Sequence, residues 1–407
     1  MWPSMVAGKI LGERVDNNIY AMNSGELSAT FVESENSNQA SFSPRKPYIV
    51  QETFKLFVSS WNIGGITPPD NSSLEDFLGT QNSMADIYVF GFQEIVPLNA
   101  GNILGSENSK ISSKWNTLIE EVLNKRMAIE GRLQNTDIGE TPKVHPLKMH
   151  NSTNSIASDF QCLISKQMVG IYITIWVRTA LHGYISYPSV SSVGCGLLGC
   201  LGNKGAVSVR FCLGQTSFCF VCSHLASGGK EGDEKQRNAD AARILSQTQF
   251  PSSPLRKLPR NILDHDRVVW LGDLNYRINL PEAATRSLVQ NENWSILLQN
   301  DQLKAEQAKG HVFEGWQEEE IEFAPTYKYY QNSDDYYGCN QKINEKKRRA
   351  PAWCDRIIWY GKGLKQIQYD RGESRLSDHR PVQAIFTAEV DGLNLKEPGS
   401  FLSNHLT

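Results

Sequence analysis

WLGDLNYRI, residues 270 to 278, closes an apolar run of Val268, Val269, Trp270 and Leu271 with Gly272, Asp273 and Asn275. A run that short and that rich in β-branched and aromatic residues reads as a strand, and alternate residues of a strand share a face. Asp273 and Asn275 are therefore expected to point toward one spot at the strand's end. The pattern recurs along the chain. FVSSWNIGG delivers Asn62, IYVFGFQE delivers Gln93 and Glu94, FCFVCSHL delivers His224, and the strand of SDHRPVQAIF starts just after Asp378 and His379. Antiparallel pairing brings the exit of one strand beside the entry of the next, so these polar groups can gather at one sheet edge.

Other apolar runs, FKLFVSSW, VGIYITIWV, AVSVRF and RIIWY among them, are bounded by Gly, Pro and Asn and also read as strands. Helical spacing marks KWNTLIEEVLNKR, with Trp115, Leu118, Ile119, Val122 and Leu123 on one face, then DEKQRNADAARILSQ, then PEAATRSLVQ with Pro281 at the first helical position. Several strands follow one another with no helix between them. That order predicts an α/β protein built as a sandwich of two mixed, largely antiparallel β-sheets flanked by helices, and it excludes a doubly wound nucleotide fold. GCLGNKGA lacks the strand, turn and helix of a phosphate loop.

The 407 residues carry a net charge of −3, with 40% hydrophobic and 21% charged residues, a globular composition and not that of a general nucleic-acid binder. No apolar run reaches the roughly 20 residues of a spanning helix. The start MWPSMVAGKILGERV shows no secretory pattern and the end SNHLT no prenylation cysteine, so a cytoplasmic protein peripheral to membranes is expected. Eight cysteines show no disulfide framework, and Cys219 and Cys222 of SFCFVCSHL read as packed strand thiols. Residues 1–50, with FVESENSNQASFSPRKP, read as a disordered leader. A catalytic domain is expected over 51–390, a flexible tail over 391–407, and a polar surface insertion from Gly131 to Ser155.

The gathered set of Asn, Glu, His and Asp suits a hard cation with oxygen ligands, for which Mg²⁺ is the expectation. One carboxylate can hold the metal, another can take a proton from an attacking water, and an imidazolium can stabilise phosphoryl charge. Taken singly each residue is unremarkable, since an Asp after a strand is usually a turn former or helix cap. Together they point to hydrolysis of a phosphate ester.

At the level of whole blocks, WNIGG, FGFQEIVPL, GNKGAV, SHLASG, WLGDLNYRI, PTYKYY, RAPAWCDRIIW and SDHRPV make the sequence resemble the inositol polyphosphate 5-phosphatases, plant-like type I, of the Mg²⁺-dependent endonuclease/exonuclease/phosphatase superfamily. The resemblance implies a four-layer, DNase I-like sandwich. It implies that Glu94 is the principal metal ligand with Asn62 close to the metal site, and that Asp273 is the base. Asn275 would orient the water or the scissile phosphate, His379 would contact that phosphate with support from Asp378, and His224 would be a further contact. Tyr327, Lys328, Lys347 and Arg349 match positions that grip the neighbouring 4-phosphate, and Asn203 and Lys204 resemble the contact to the 1-phosphate. Arg356 and Trp353 would brace the site, and Cys354 would be structural. Leu197 and Leu198, in the glycine-rich SSVGCGLLGCLGNKG, would touch acyl chains at a membrane surface. The implied substrates are phosphatidylinositol 4,5-bisphosphate, related phosphoinositides and inositol 1,4,5-trisphosphate, with no nucleic acid. The rival readings are a superfamily nuclease and a catalytically silent phosphoinositide-binding module.

Overall fold

Two sheets of unequal size carry the chain. In the computed structural model the described residues are 50–68, 84–105, 109–134, 158–196, 199–253, 257–339 and 349–393. The chain divides into units Met1–Pro47 and Tyr48–Thr407, and only the second is described here. Its elements are β1 (Gln51–Asn62), β2 (Ile87–Gln93), α1 (Ala100–Leu104), α2 (Lys110–Gln134), β3 (Phe160–Met168), β4 (Ile171–Arg178), β5 (Ile185–Gly194), β6 (Gly205–Leu213), β7 (Thr216–His224), α3 (Asp233–Gln247), β8 (Arg267–Asp273), α4 (Glu282–Gln290), α5 (Trp294–Gln299), α6 (Gln302–Ala308), β9 (Asp355–Tyr360), β10 (Leu364–Arg371) and β11 (Val382–Asp391). The six-stranded sheet runs β10-β11-β1-β2-β4-β3 and the five-stranded sheet β5-β6-β7-β8-β9. Among the described residues only β1/β2 and β7/β8 pair in parallel. The other pairings are antiparallel, and among them β3/β4, β6/β7 and β10/β11 are joined directly with no helix between.

Strand parity assigns each side chain to a layer. Leu56 and Val58 of β1, Ile87 and Val89 of β2, Phe218 and Phe220 of β7, and Val269 and Leu271 of β8 meet in the layer between the sheets. The intervening Phe57, Trp61, Tyr88, Phe90 and Phe92 face outward and pack with Trp115, Ile119 and Leu123 of α2. On the other flank Val221, Val268 and Trp270 pack with Ala241 and Ile244 of α3 and with Leu303 of α6. Helix, sheet, sheet, helix is the four-layer DNase I-like sandwich, and each fully buried large side chain contributes about 1.5–3 kcal/mol to it.

Boundaries differ from expectation in a few places. Pro281 is the residue just before α4, where its missing N–H costs nothing, and not the first helical residue. α2 runs to Gln134, so the start of the expected insertion is helical, and 135–157 lie outside the described residues. β11 reaches Asp391 and Leu393 is fully buried, so folded structure extends past 390; residues 394–407 lie outside the described set. The leader lies outside it too, apart from Val50, whose carbonyl accepts from Gly392 N–H. All eight cysteines are free. Cys219 packs on the outer face of β7 and Cys222 on the inner, because an offset of three places them on opposite sides of the strand.

Candidate active site

At one end of the inter-sheet layer the inward positions turn from apolar to polar. Continuing the inward parity of each strand gives Asn62 at the end of β1, Gln93 at the end of β2, His224 at the end of β7, Asp273 at the end of β8 and Asp355 at the start of β9. Pairing aligns them: Asn62 lies beside Gln93, and His224, Asp273 and Asp355 lie side by side across three strands. Asn62 Nδ2 crosses from one sheet to the other and donates to Asp273 Oδ2 at 3.0 Å. One end of the layer between the two sheets thus gathers residues that the sequence scatters from Asn62 to Asp355.

Asp273 is buried with both oxygens engaged. His224 Nε2 lies 3.2 Å from Oδ2, and the backbone N–H of Asn275 donates to Oδ1 at 3.0 Å. Asn275 does not continue the strand. β8 stops at Asp273, and Asn275 takes a left-handed φ of 59°, so the two residues are joined through a turn, by the Asn275 backbone N–H, and not through alternation. The Asn275 amide donates to Leu225 O at 3.1 Å and accepts from Arg277 Nη2 at 2.6 Å. Glu94, also left-handed at φ 51°, leaves the end of β2 toward the mouth, its Oε1 4.0 Å from His224 Nε2. Lys204, the residue before β6, makes a short contact with the same His224 nitrogen. Asn203 beside it sets its amide oxygen against Gly196, where any Cβ would collide.

His379 precedes β11, and its Nδ1 lies 2.8 Å from Asp355 Oδ2, which also accepts from Thr326 Oγ1 at 2.7 Å. Asp378 gives its carboxylate to Lys328 Nζ at 2.6 Å and acts on His379 through its charge, one of the carboxylates that raise the imidazole. Tyr327 bridges in backbone pairing to both Ala352 and His379, with its ring 4.6 Å from the imidazole. Arg349 is exposed, and its carbonyl accepts from Arg286 Nη2 at 2.8 Å. Lys347, Leu197 and Leu198 lie outside the described residues. Behind the site Arg356 is fully buried between Asp301 and Glu318, and Trp353 donates to Phe323 O at 3.0 Å.

Electrostatics divide these groups into roles. Burial opposes ionisation of Asp273, yet His224, His379 and Lys204 hold its carboxyl well below the usual range. Burial would push His379 down, but the Asp355 carboxylate overrides it and holds the imidazole at about 9, an imidazolium at neutral pH. Burial and the Lys204 charge push the His224 imidazole down, and burial lowers Lys204 itself. Asp273, Asp355 and His379 offer ligand atoms within 4.8 Å of one another. With His379 Nδ1 at Asp355, the hard donors of that group are the Asp273 and Asp355 oxygens, and Glu94 Oε1 lies nearby at 4.0 Å from His224 Nε2.

The sequence reading missed Asp355 and Arg277. Asp355 is the first residue of its strand, inside WCDR, and so opens an apolar run instead of ending one. Its signal was the inward parity it shares with Ile357.

A buried carboxylate, an imidazolium backed by a second carboxylate, and oxygen donors for a cation at the edge of a two-sheet sandwich define a metal-assisted phosphoesterase of the endonuclease/exonuclease/phosphatase kind. The model of endonuclease/exonuclease/phosphatase family 2 matches residues 59–385. The chain belongs to the inositol polyphosphate 5-phosphatase family, whose members are phosphoric monoester hydrolases. It is 53% identical to the type IV inositol polyphosphate 5-phosphatase 9 of Arabidopsis thaliana, over 96% of this chain and 92% of the relative. The type I inositol polyphosphate 5-phosphatase 8 of the same plant is 48% identical over 83% of this chain and 71% of its own. The two relatives belong to different plant types, so membership stands at the level of the family. The 5-phosphatase domain of SPsynaptojanin, in complex with inositol 1,4-bisphosphate and a calcium ion, is 31% identical with a TM-score of 0.67, over 86% of this chain and 88% of that one.

Proposed function

We propose that the chain removes the 5-phosphate from phosphatidylinositol 4,5-bisphosphate and related phosphoinositides and from soluble inositol 1,4,5-trisphosphate. The observation that carries this is the junction at Tyr327. Its ring lies against His379 of the hydrolytic set, while its neighbour Lys328 projects the first cation of the expected 4-phosphate grip. One short segment thus joins the position of the phosphate that leaves to that of the phosphate that stays. Inositol 1,4-bisphosphate, bound by the SPsynaptojanin domain, is what remains of the trisphosphate once its 5-phosphate is gone.

Glu94, with Asn62 beside it, would hold Mg²⁺, which supplies Lewis-acid polarisation of a phosphoryl oxygen and lowers the pKa of water. Asn275 orients the attacking water through its amide, and Asp273 takes the water's proton. A carboxyl held so low is a weak resting base, so Asp273 acts mainly by orienting and accepts the proton only as the new P–O bond forms. The His379 imidazolium donates to the phosphoryl oxygens where charge builds. His224 and Lys204 supply further contacts, Lys204 and Asn203 reaching the 1-phosphate. No thiol is required, and burial pushes the Cys354 thiol far up. Leu197 and Leu198 would enter the acyl region of a membrane; no helix among the described residues is long and apolar enough to cross one.

Phosphate release from a panel of inositol phosphates, phosphoinositide vesicles and abasic DNA, with Mg²⁺ and with chelator, tests the reading. Release confined to 5-phosphorylated inositides and abolished by chelation is expected. Cleavage of the DNA, or release that survives chelation, would overturn it.

A further inference from the structure

Arg277, four residues beyond the end of β8, has no role in the chemistry above, yet its guanidinium lies inside the site. Nη2 donates to Asn275 Oδ1 at 2.6 Å and Nε to Asn275 O at 3.0 Å. The same plane lies over the Tyr327 ring, 4.6 Å from its centroid, a cation–π distance. Its own backbone is pinned, since Arg277 N–H donates to Gln302 Oε1 at 2.8 Å, and that oxygen also accepts from the buried Arg237 at 2.7 Å. The contacts close a ring: Asp273 to Asn275, Asn275 to Arg277, Arg277 to Tyr327, Tyr327 to His379, His379 to Asp355, and Asp355 beside Asp273. Arg277 is the member that connects the water side to the side of the retained phosphate.

We propose that Arg277 is a positioning residue that couples recognition of the phosphate beside the scissile one to the orientation of the attacking water, by holding the Asn275 amide and the Tyr327 ring with one guanidinium. A phosphate dianion settling on Tyr327 and Lys328 fixes the ring, the ring fixes the planar cation stacked on it, and the cation fixes the amide. The neighbouring phosphate then raises kcat as well as lowering KM. Lysine cannot substitute, because a point charge on a flexible stem neither stacks as a plane nor donates in a fixed fork. The inference rests on the 5-phosphatase reading above.

Steady-state kinetics on inositol 1,4,5-trisphosphate and on inositol 1,5-bisphosphate, which lacks the neighbouring phosphate, separate the possibilities. The wild type is expected to show a higher kcat on the trisphosphate. Arg277→Lys and Arg277→Met should lose about 10²-fold in kcat on the trisphosphate, the scale of a small misplacement, and only a few-fold on the bisphosphate. The KM advantage of the trisphosphate should persist through Lys328. In a double-mutant cycle on kcat, Tyr327→Leu should add little to Arg277→Met, since both break the same link, while its lost phosphate contact falls on KM. Equal kcat losses on both substrates in the folded Arg277→Lys variant, checked by its melting temperature, would overturn the proposal in favour of plain structural support. Loss of the KM advantage with kcat kept would overturn it in favour of direct phosphate contact. A wild type without phosphatase activity on either substrate would remove the 5-phosphatase reading itself, a result distinct from any failure of the variants.

Discussion

His379 Nδ1 lies 2.8 Å from Asp355 Oδ2, whereas Asp378, its neighbour in sequence, gives its carboxylate to Lys328. The consequence is chemical. Asp355, ahead of the Asp273 and Asp378 charges, keeps His379 charged against a burial that would otherwise neutralise it, holding it at about 9. Because that value is raised above the ordinary one, the imidazolium and the stability it lends are complete below the ordinary histidine range. Both are lost as pH rises through about 9.

Asp355→Asn should therefore change the shape of the pH profile as well as its height. Without the carboxylate, burial pulls the imidazole down, and the charged form disappears at a lower pH than in the wild type. Activity near pH 8 should fall by roughly 10² or more, and the loss should be smaller near pH 6. Measured as kcat/KM against pH, a uniformly scaled profile would place Asp355 outside the charging of His379.

Gly91 lies on the inward face of β2, where an added Cβ would come within 2.7 Å of Leu271 and 2.9 Å of Cys222 in the facing sheet. Two sheets pack this closely only because one position has no side chain. Gly91→Ala is expected to destabilise the protein by about 1–3 kcal/mol through overpacking, read from the urea midpoint. An unchanged midpoint would show that the layer can open at no cost.

Much of this was legible in the sequence. Every central strand was visible as an apolar run, and the alternation of aliphatic with aromatic residues in IYVFGF or GIYITIWV already contains both layers. The three strands that were not read, β3, β5 and β10, are all edge strands. FQCLISKQM, ISYPSVSSVG and LKQIQYDR carry the polar residues and the proline that edges tolerate, and these erase the run. In the site, Asp273, Asn62 and His224 were legible because each ends an apolar run. Asp355 starts one, and the His379 pairing joins the segment before β11 to β9 of the facing sheet, which no local pattern encodes. The left-handed turn at Asn275, and with it the aim of Arg277, is backbone geometry that the letters NYR do not display.

Arg356 shows what holds β9 in place behind the site. Nη1 contacts both Asp301 oxygens at 3.0 Å, and Nε donates to Glu318 Oε1 at 2.7 Å. Asp301 in turn caps α6, accepting from Lys304 N–H. Removing the cation leaves two carboxylates buried together, so Arg356→Met should cost about 3–5 kcal/mol in urea unfolding. A cost below about 1 kcal/mol would mean that the carboxylates reach water once the arginine is gone.

Lys328 tests regiospecificity. It lies 2.6 Å from Asp378 and 5.5 Å from the Tyr327 ring centroid. Burial would lower its pKa, but the hydrogen bond and charge of Asp378 raise it, so the ammonium is present throughout the assay range. A retained phosphate arriving here meets a fixed cation, and a charge-assisted hydrogen bond of about 1.5–3 kcal/mol corresponds to a loss of roughly 10- to 150-fold when it is removed. Lys328→Ala should impose that loss on kcat/KM for inositol 1,4,5-trisphosphate, expressed chiefly in KM, and should change little the hydrolysis of inositol 1,5-bisphosphate. That separates it from Arg277, whose loss falls on kcat. Both substrates are measured at fixed Mg²⁺ and ionic strength, because general attraction of anions would respond to salt and would weaken both alike. A proportional loss on the two substrates would assign Lys328 to that general field and leave the 4-phosphate without its grip.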